Sequence, residues 1–182
     1  MRVSNDSQTC WFALRVTYCR ELDVKQKLET MGIETFIPMR YEYFVKNRSK
    51  VKRLVPAIHN LLFVHTQKQI LDKLKHTTSL PIRYVMGRDE GRSFILAVSD
   101  SEMENFMRVA ATYDEQLTYL DPSMLNLHDG DLVRVTSGPF AGAVGRLQRI
   151  KGKRARRVVV SLENFVHVVV TYIPLSCLEK IV

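Results

Sequence analysis

Four glycines and a proline punctuate the stretch from Leu127 to Leu147, LHDGDLVRVTSGPFAGAVGRL, and this spacing excludes a helix there. Each glycine in a helix interior costs about 1 kcal/mol against alanine, and a proline about 3 kcal/mol. Between the breakers, Leu132–Thr136 alternates apolar and polar with period 2, the mark of a half-buried strand. Gly130 and Asp131 precede that strand, and Gly138-Pro139-Phe140 with Gly142 forms a compact turn after it. Gly130 and Gly138 suit turns with unusual backbone angles, Pro139 presets one turn residue, and Gly145 lets the next strand bend. Segments 143–150, 157–162 and 166–172 then read as further strands with short turns between them. A sheet of so few short strands gains stability by closing over its own core, so the spacing predicts a small all-β barrel over 127–182.

Upstream, the pattern is mixed. Residues 11–17 are apolar and rich in strand formers, which predicts a buried first strand. From Glu21 the spacing turns helical, with Leu22, Lys25, Leu28 and Met31 as the stripe, Val24 beside them, and Gly32 placed to end the helix. Segments 41–45 and 51–55 flank a polar tip and predict a hairpin. Residues 60–64 form a short continuous apolar run suited to a central strand, and 69–75 a short helix. Two strands, 82–86 and 93–96, are expected around a turn at Gly87–Gly91. Ser99 and Glu102 have the spacing of a capping box for a helix to about Ala111, with Met103, Phe106, Met107 and Ala110 facing inward. This order predicts an α+β fold, an N-terminal α/β sandwich with a mainly antiparallel sheet over 1–112. Residues 113–126 mix acids, Pro122 and Ser123 with little apolar content and read as a linker.

Charge and cysteine content narrow the function. The net charge is +8, most of it before residue 113, which favours contact with nucleic acid through phosphate neutralisation without demanding it. Cys10, Cys19 and Cys177 are too few and scattered for a disulfide framework or a zinc site. No apolar run has the ~18 residues of a membrane span, and the N-terminus lacks a hydrophobic leader, so a cytoplasmic protein is expected. The five histidines have no metal-ligand spacing, and no paired carboxylates or phosphate-binding glycine loop is present. Neither enzyme chemistry nor a cofactor or metal is expected.

The segment 127–147 resembles a KOW motif, through Gly130-Asp131, Gly138-Pro139-Phe140, Gly142 and Gly145. The N-terminal part resembles the N-terminal domain of the NusG family, through Trp11-Phe12, the first helix ending at Gly32, Phe36-Ile37-Pro38, Leu62-Phe63-Val64 and the helix from Ser99 to Phe106. The resemblance implies a transcription elongation or antitermination factor whose first domain docks on the clamp helices of RNA polymerase, beside upstream or non-template DNA. It implies a KOW domain that recruits a second partner such as Rho or a ribosomal protein, in a protein expected to be monomeric. Where housekeeping members have Pro-Gly-Tyr before the apolar run, this chain has His59-Asn60-Leu61. That departure resembles the specialised UpxY-type antiterminators of capsular polysaccharide operons. KOW motifs also occur in ribosomal proteins, which leaves a ribosome-associated RNA-binding protein as the alternative.

Several candidate residues follow. Leu61 and Phe63 share one face of their strand and Leu62 and Val64 the other; one pair is core, and Leu61 and Phe63 are the pair expected at the polymerase. Lys46, Arg48, Lys50, Lys52 and Arg53 crowd one hairpin tip, either as a solvated loop or as a contact to DNA phosphates. A second basic run, Lys151 to Arg157, carries the same two readings. Phe165 falls where a KOW domain of this kind exposes an aromatic to its partner, or else it is core.

Overall fold

The structure, a computed structural model, describes residues 7–46, 48–89, 91–115, 117–120, 130–149, 156–162, 166–169 and 173–181; for 88–89 and 166–169 it describes the backbone alone. The chain divides into two compact units. One joins Met1–Ile37 to Ile58–Asp100, and the other joins Pro38–Ala57 to Ser101–Val182. These units cross the linear boundaries at 112 and 127, because composition marks a change of sequence character whereas compactness follows contacts.

The first unit is built on β1 (Thr9–Val16), which pairs antiparallel with β5 (Leu61–Gln67), Trp11 opposite His65 and Arg15 opposite Leu61. Outside β5 lies β2 (Glu34–Phe36). The other edge of β1 is filled in two pieces, β6 (Ile82–Tyr84) and β9 (Ala97–Val98). Between them the chain leaves the sheet as a separate hairpin, β7 (Met86–Asp89) and β8 (Arg92–Ile95). In place of the two strands expected over 82–96, the chain forms four over 82–98. The amide of Val85 donates to the Ala13 carbonyl at 2.9 Å, so the hydrogen bonding to β1 continues where the hairpin departs.

Helix α1 (Glu21–Thr30) buries Val24 and Leu28 together with Glu21, while Leu22 and Met31 are about half exposed. The stripe expected through Leu22 and Met31 is therefore corrected. Positions 21, 24 and 28 share one face at i, i+3 and i+7. Gly32, at φ +76°, ends α1 as expected: its amide donates to Glu29 and that of Ile33 to Leu28, the paired bonds of a Schellman motif. Helix α2 (Lys68–Thr77) buries Leu71.

Ahead of β5, Asn60 takes φ +62°, a left-handed conformation that asparagine tolerates better than most residues. Its carbonyl accepts the Val16 amide at 2.9 Å, its side-chain Oδ1 accepts the Cys19 amide at 3.1 Å, and its own amide donates to the buried Glu21 carboxylate at 3.3 Å. We expect Asn60→Ala to cost roughly 1–2 kcal/mol, through left-handed strain and an unpaired Cys19 amide. Asn60→Gly, which relieves the strain and loses only the side-chain bond, should cost less. Urea melts of the two variants check the order.

In the second unit, β3 (Met39–Lys46) and β4 (Ser49–Pro56) form a hairpin that stands as its own two-stranded sheet. Helix α3 (Asp100–Ala110) buries Met103, Phe106, Val109 and Ala110; Val109 takes the inward place expected for Met107, which is half-buried. The KOW-like segment supplies five strands of a six-stranded antiparallel sheet in the order β10-β14-β13-β12-β11-β15, with β10 added from upstream. These strands are β10 (Thr118–Leu120), β11 (Asp131–Val135), β12 (Val144–Arg149), β13 (Arg156–Leu162), β14 (Val166–Val169) and β15 (Leu178–Lys180). Strand β10 lies inside the stretch read as a linker, where Tyr119 pairs with Val168 across β14. Val158, Val159 and Val160 are all buried, so both faces of β13 are covered. On α3, the Asn105 side chain holds both backbone groups of Val144, accepting its amide at 2.8 Å and donating to its carbonyl at 2.7 Å.

Gly130, Gly138 and Gly142 all have positive φ, as the turn reading requires. Gly145 also meets a packing need. A Cβ there would lie 2.5 Å from the Val159 carbonyl oxygen, so this glycine allows β13 to approach β12 closely. Phe140 is buried in the turn, Pro139 is exposed, and Asp131 pairs with Lys180 at 2.9 Å.

Candidate nucleic-acid interface

The hairpin β3–β4 sorts its side chains by strand alternation. Tyr43 lies opposite Lys52, Val45 opposite Lys50 and Tyr41 opposite Leu54, so these six share one face. The other face carries Arg40, Glu42, Phe44 and Lys46 opposite Val55, Arg53, Val51 and Ser49. The basic tip expected from the sequence is therefore not one cluster. Lys50 and Lys52 stand with the tyrosines, Lys46 and Arg53 stand on the reverse face, and Arg48 sits in the turn at φ +62°. All five cations are exposed.

The two faces also differ in how their charges are engaged. On the reverse face, Arg40 pairs with Glu42, and the Arg53 guanidinium lies 5.9 Å from the Phe44 ring centre. On the tyrosine face, Lys52 Nζ lies 4.2 Å from the Tyr41 ring centre and 5.9 Å from that of Tyr43, a cation–π arrangement. The same ammonium pairs with Glu115 at 2.5 Å, and the Tyr43 hydroxyl donates to that carboxylate at 3.3 Å. The Lys52 hydrogen bond holds the Glu115 carboxyl below its usual range, and Glu115 in turn raises the Lys52 ammonium. Tyr113 meets the edge of Tyr41, with ring centres 6.4 Å apart. Tyr43 remains 60% exposed and Val45 76%, so the face is open toward its tip.

The tyrosines and Glu115 were not singled out from sequence. The available signal was the alternation in Tyr41-Glu42-Tyr43-Phe44-Val45, which places aromatic rings on both faces of one strand of a basic hairpin. The pairing with Glu115 had no signal, since it joins positions 52 and 115 through the fold.

The family model described as "Transcription termination factor nusG" matches residues 9–107, more than half of the chain. The chain belongs to the NusG family. The model of the KOW motif matches residues 130–169, so the order of the two NusG-type segments along the chain is the family's. A solved structure titled "Domain interaction in Thermotoga maritima NusG" is 22% identical, covering 97% of this chain and 99% of that one with a TM-score of 0.46. Comparison with curated proteins found no match. NusG proteins are non-enzymatic transcription factors that work with RNA polymerase, and this chain is one of that family.

Other expected site residues fall differently in this NusG-family chain. Leu61 and Phe63 are fully buried, as are Leu62 and Val64 between them and beside them. The expectation that Leu61 and Phe63 meet the polymerase is corrected: β5 is an interior strand with both faces covered, so neither side chain is presented. Trp11 is core as well, and stacks on His65 with ring centres 4.9 Å apart. Phe165 and residues 151–155 of the second basic run lie outside the described residues. Burial pushes the Cys10 thiol up, with the Asp100 carboxylate adding to the effect, which keeps it protonated rather than nucleophilic. Among the described residues, no group of His, Cys, Asp and Glu could hold a metal ion, and no helix is long and apolar enough to cross a membrane.

Proposed function

We propose that this NusG-family chain is a transcription elongation and antitermination factor. Its N-terminal segment, residues 1–112, docks on the clamp helices of RNA polymerase and reduces pausing or termination. Its KOW segment, residues 127–182, recruits a second partner such as a ribosomal protein or Rho. The departure at His59-Asn60-Leu61 supports action at selected operons of the capsular polysaccharide kind. The observation that carries the reading is the open basic hairpin on a NusG-type chain: Lys46, Arg48, Lys50, Lys52 and Arg53 are all exposed, and Lys46 and Lys50 flank its turn. Cations so placed suit contact with the phosphates of upstream or non-template DNA beside the polymerase.

The test is read-through of a terminator by purified RNA polymerase with and without the protein, together with a polymerase pull-down. Wild type should bind core polymerase and raise read-through. The double charge reversal Lys46→Glu with Lys50→Glu should retain the fold by circular dichroism and lose most of the effect at low salt. Failure of wild type to bind polymerase, with co-sedimentation on ribosomal subunits instead, would transfer the protein to a ribosomal role.

A further inference from the structure

Two features at one end of the sheet in the first unit weaken the fold without serving its packing. Tyr18 and Cys19 both take left-handed backbone angles, φ +63° and +52°, which residues with a Cβ adopt only under strain. The Asn60 side chain holds this turn through the Cys19 amide, and the Tyr18 ring stands 85% exposed on it. The second feature is a charge pair: Arg15 of β1 lies directly opposite Arg83 of β6, and like charges so placed repel. Both arginines are exposed, and among the described residues neither has a carboxylate partner. Arg15 donates to the His59 carbonyl at 3.5 Å, whereas Arg20 has Asp23 at 3.8 Å. Arg15 and Cys19 thus both reach the His59-Asn60 segment, which puts the ring and the arginine pair on one surface. Tyrosine and arginine are the side chains that anchor protein–protein contacts, and a turn already fixed by hydrogen bonds loses little further freedom on binding. The arginine spacing describes the counterpart. Opposite residues of an antiparallel pair have Cβ atoms about 4.5–5.5 Å apart, and residues three or four apart on a helix about 5–6 Å. Two carboxylates at i and i+4 of a partner helix therefore match the two guanidiniums, each accepting a forked pair of hydrogen bonds.

We propose that Tyr18, Arg15 and Arg83 form a protein-docking surface for an acidic helix, with the Tyr18 ring seated among the apolar side chains of that helix. This rests on the polymerase docking proposed above and supplies residues for it in place of Leu61 and Phe63, which are buried in β5. The contact is electrostatic, and its strength falls with salt. A carboxylate pair also relieves the repulsion between the two arginines, so the feature that weakens the free chain strengthens the complex.

The test is fluorescence anisotropy of the labelled full chain titrated with core RNA polymerase over a series of salt concentrations, beside urea melts of the same variants. Arg83→Glu sets an opposite charge across from Arg15, so its urea midpoint should rise while polymerase binding weakens at least about tenfold. Tyr18→Gly relieves the left-handed strain and should also melt later, yet bind at least about fivefold more weakly. Lys73→Glu, an equal change of charge at an exposed position on α2, should bind like wild type. Wild-type affinity in Arg83→Glu and Tyr18→Gly overturns the proposal and leaves polymerase docking to another surface. A fall of midpoint and affinity together assigns these residues to the fold, and equal weakening by Lys73→Glu reduces the effect to net charge; either result overturns it. A labelled dT 12-mer and a 12-base-pair duplex are the second probes: if Arg83→Glu loses these and keeps polymerase, the surface is a nucleic-acid contact and the proposal falls. A wild-type chain that does not bind polymerase removes the docking reading itself, and this surface with it.

Discussion

Leu61→Asp should unfold the N-terminal sheet rather than strip the protein of a docking surface. Leu61 is fully buried at the start of β5, opposite Arg15 in the register with β1. The Arg15 opposite is exposed and its guanidinium donates to the His59 carbonyl, so a carboxylate at 61 would be buried away from that charge, and burying even a polar group without partners costs several kcal/mol. A domain of this size has a total stability of about 5–15 kcal/mol, so the substitution consumes much or all of it. Phe63→Ala on the same face should be milder, roughly 3–5 kcal/mol, the cost of lost burial together with a cavity. Circular dichroism and urea melts give the readout. A docking residue would leave the melt unchanged and lose only polymerase binding. If Leu61→Asp melts like wild type, its burial in β5 does not hold in solution.

The second large effect is expected at Gly130→Ala. Gly130 has φ +89°, outside the range that residues with a Cβ adopt at low cost. A Cβ would also sit 2.5 Å from the Leu147 carbonyl oxygen and 3.0 Å from its carbonyl carbon, both backbone atoms of the neighbouring strand β12. Strand β12 would have to separate from β11 where Asp131 pairs with Leu147. The Arg146 guanidinium, which donates to the Gly130 carbonyl at 3.0 Å, would lose its partner with it. We expect a loss of about 2–4 kcal/mol from backbone strain and the broken register together. Hydrogen exchange on the full chain should show faster exchange across β11 and β12 with the first unit unaffected. Gly138→Ala is the control: its φ is similar, +87°, but no atom lies within 4 Å of a Cβ, so it should cost only the backbone strain.

Much of this architecture was legible in the residues. Period-2 alternation over Leu132–Thr136, glycine at each tight turn and a helix closed by Gly32 are local signals, set by the φ/ψ preferences of a few neighbouring residues. They placed the KOW strands and the order of helices and strands in the N-terminal half. Errors arose where one local pattern fits two tertiary settings. Leu61-Leu62-Phe63-Val64 reads the same whether one face of the strand is open or both are covered, and β5 proved to be covered on both. Thr118–Leu120 carry too little apolar signal to announce a strand, and become β10 by pairing with β14. In α1, the apolar spacing points to Leu22 and Met31, but the face that packs is that of Glu21, Val24 and Leu28.

The candidate interface divides the same way. Its net positive charge and hairpin form belong to the sequence, because charge is additive and a hairpin is a local structure. Its division into a tyrosine face and a reverse face follows from the pairing register of Tyr43 with Lys52, since a slip of one residue would move every ring to the opposite side. The engagement of Lys52 by Glu115, and of Val144 by Asn105, joins residues far apart in the chain. Such pairs depend on where the backbone returns after many intervening residues, and no local preference encodes that path. The chain's membership of the NusG family thus rests on patterns carried along the sequence, whereas which residues remain free to meet a partner is set by how those patterns pack together.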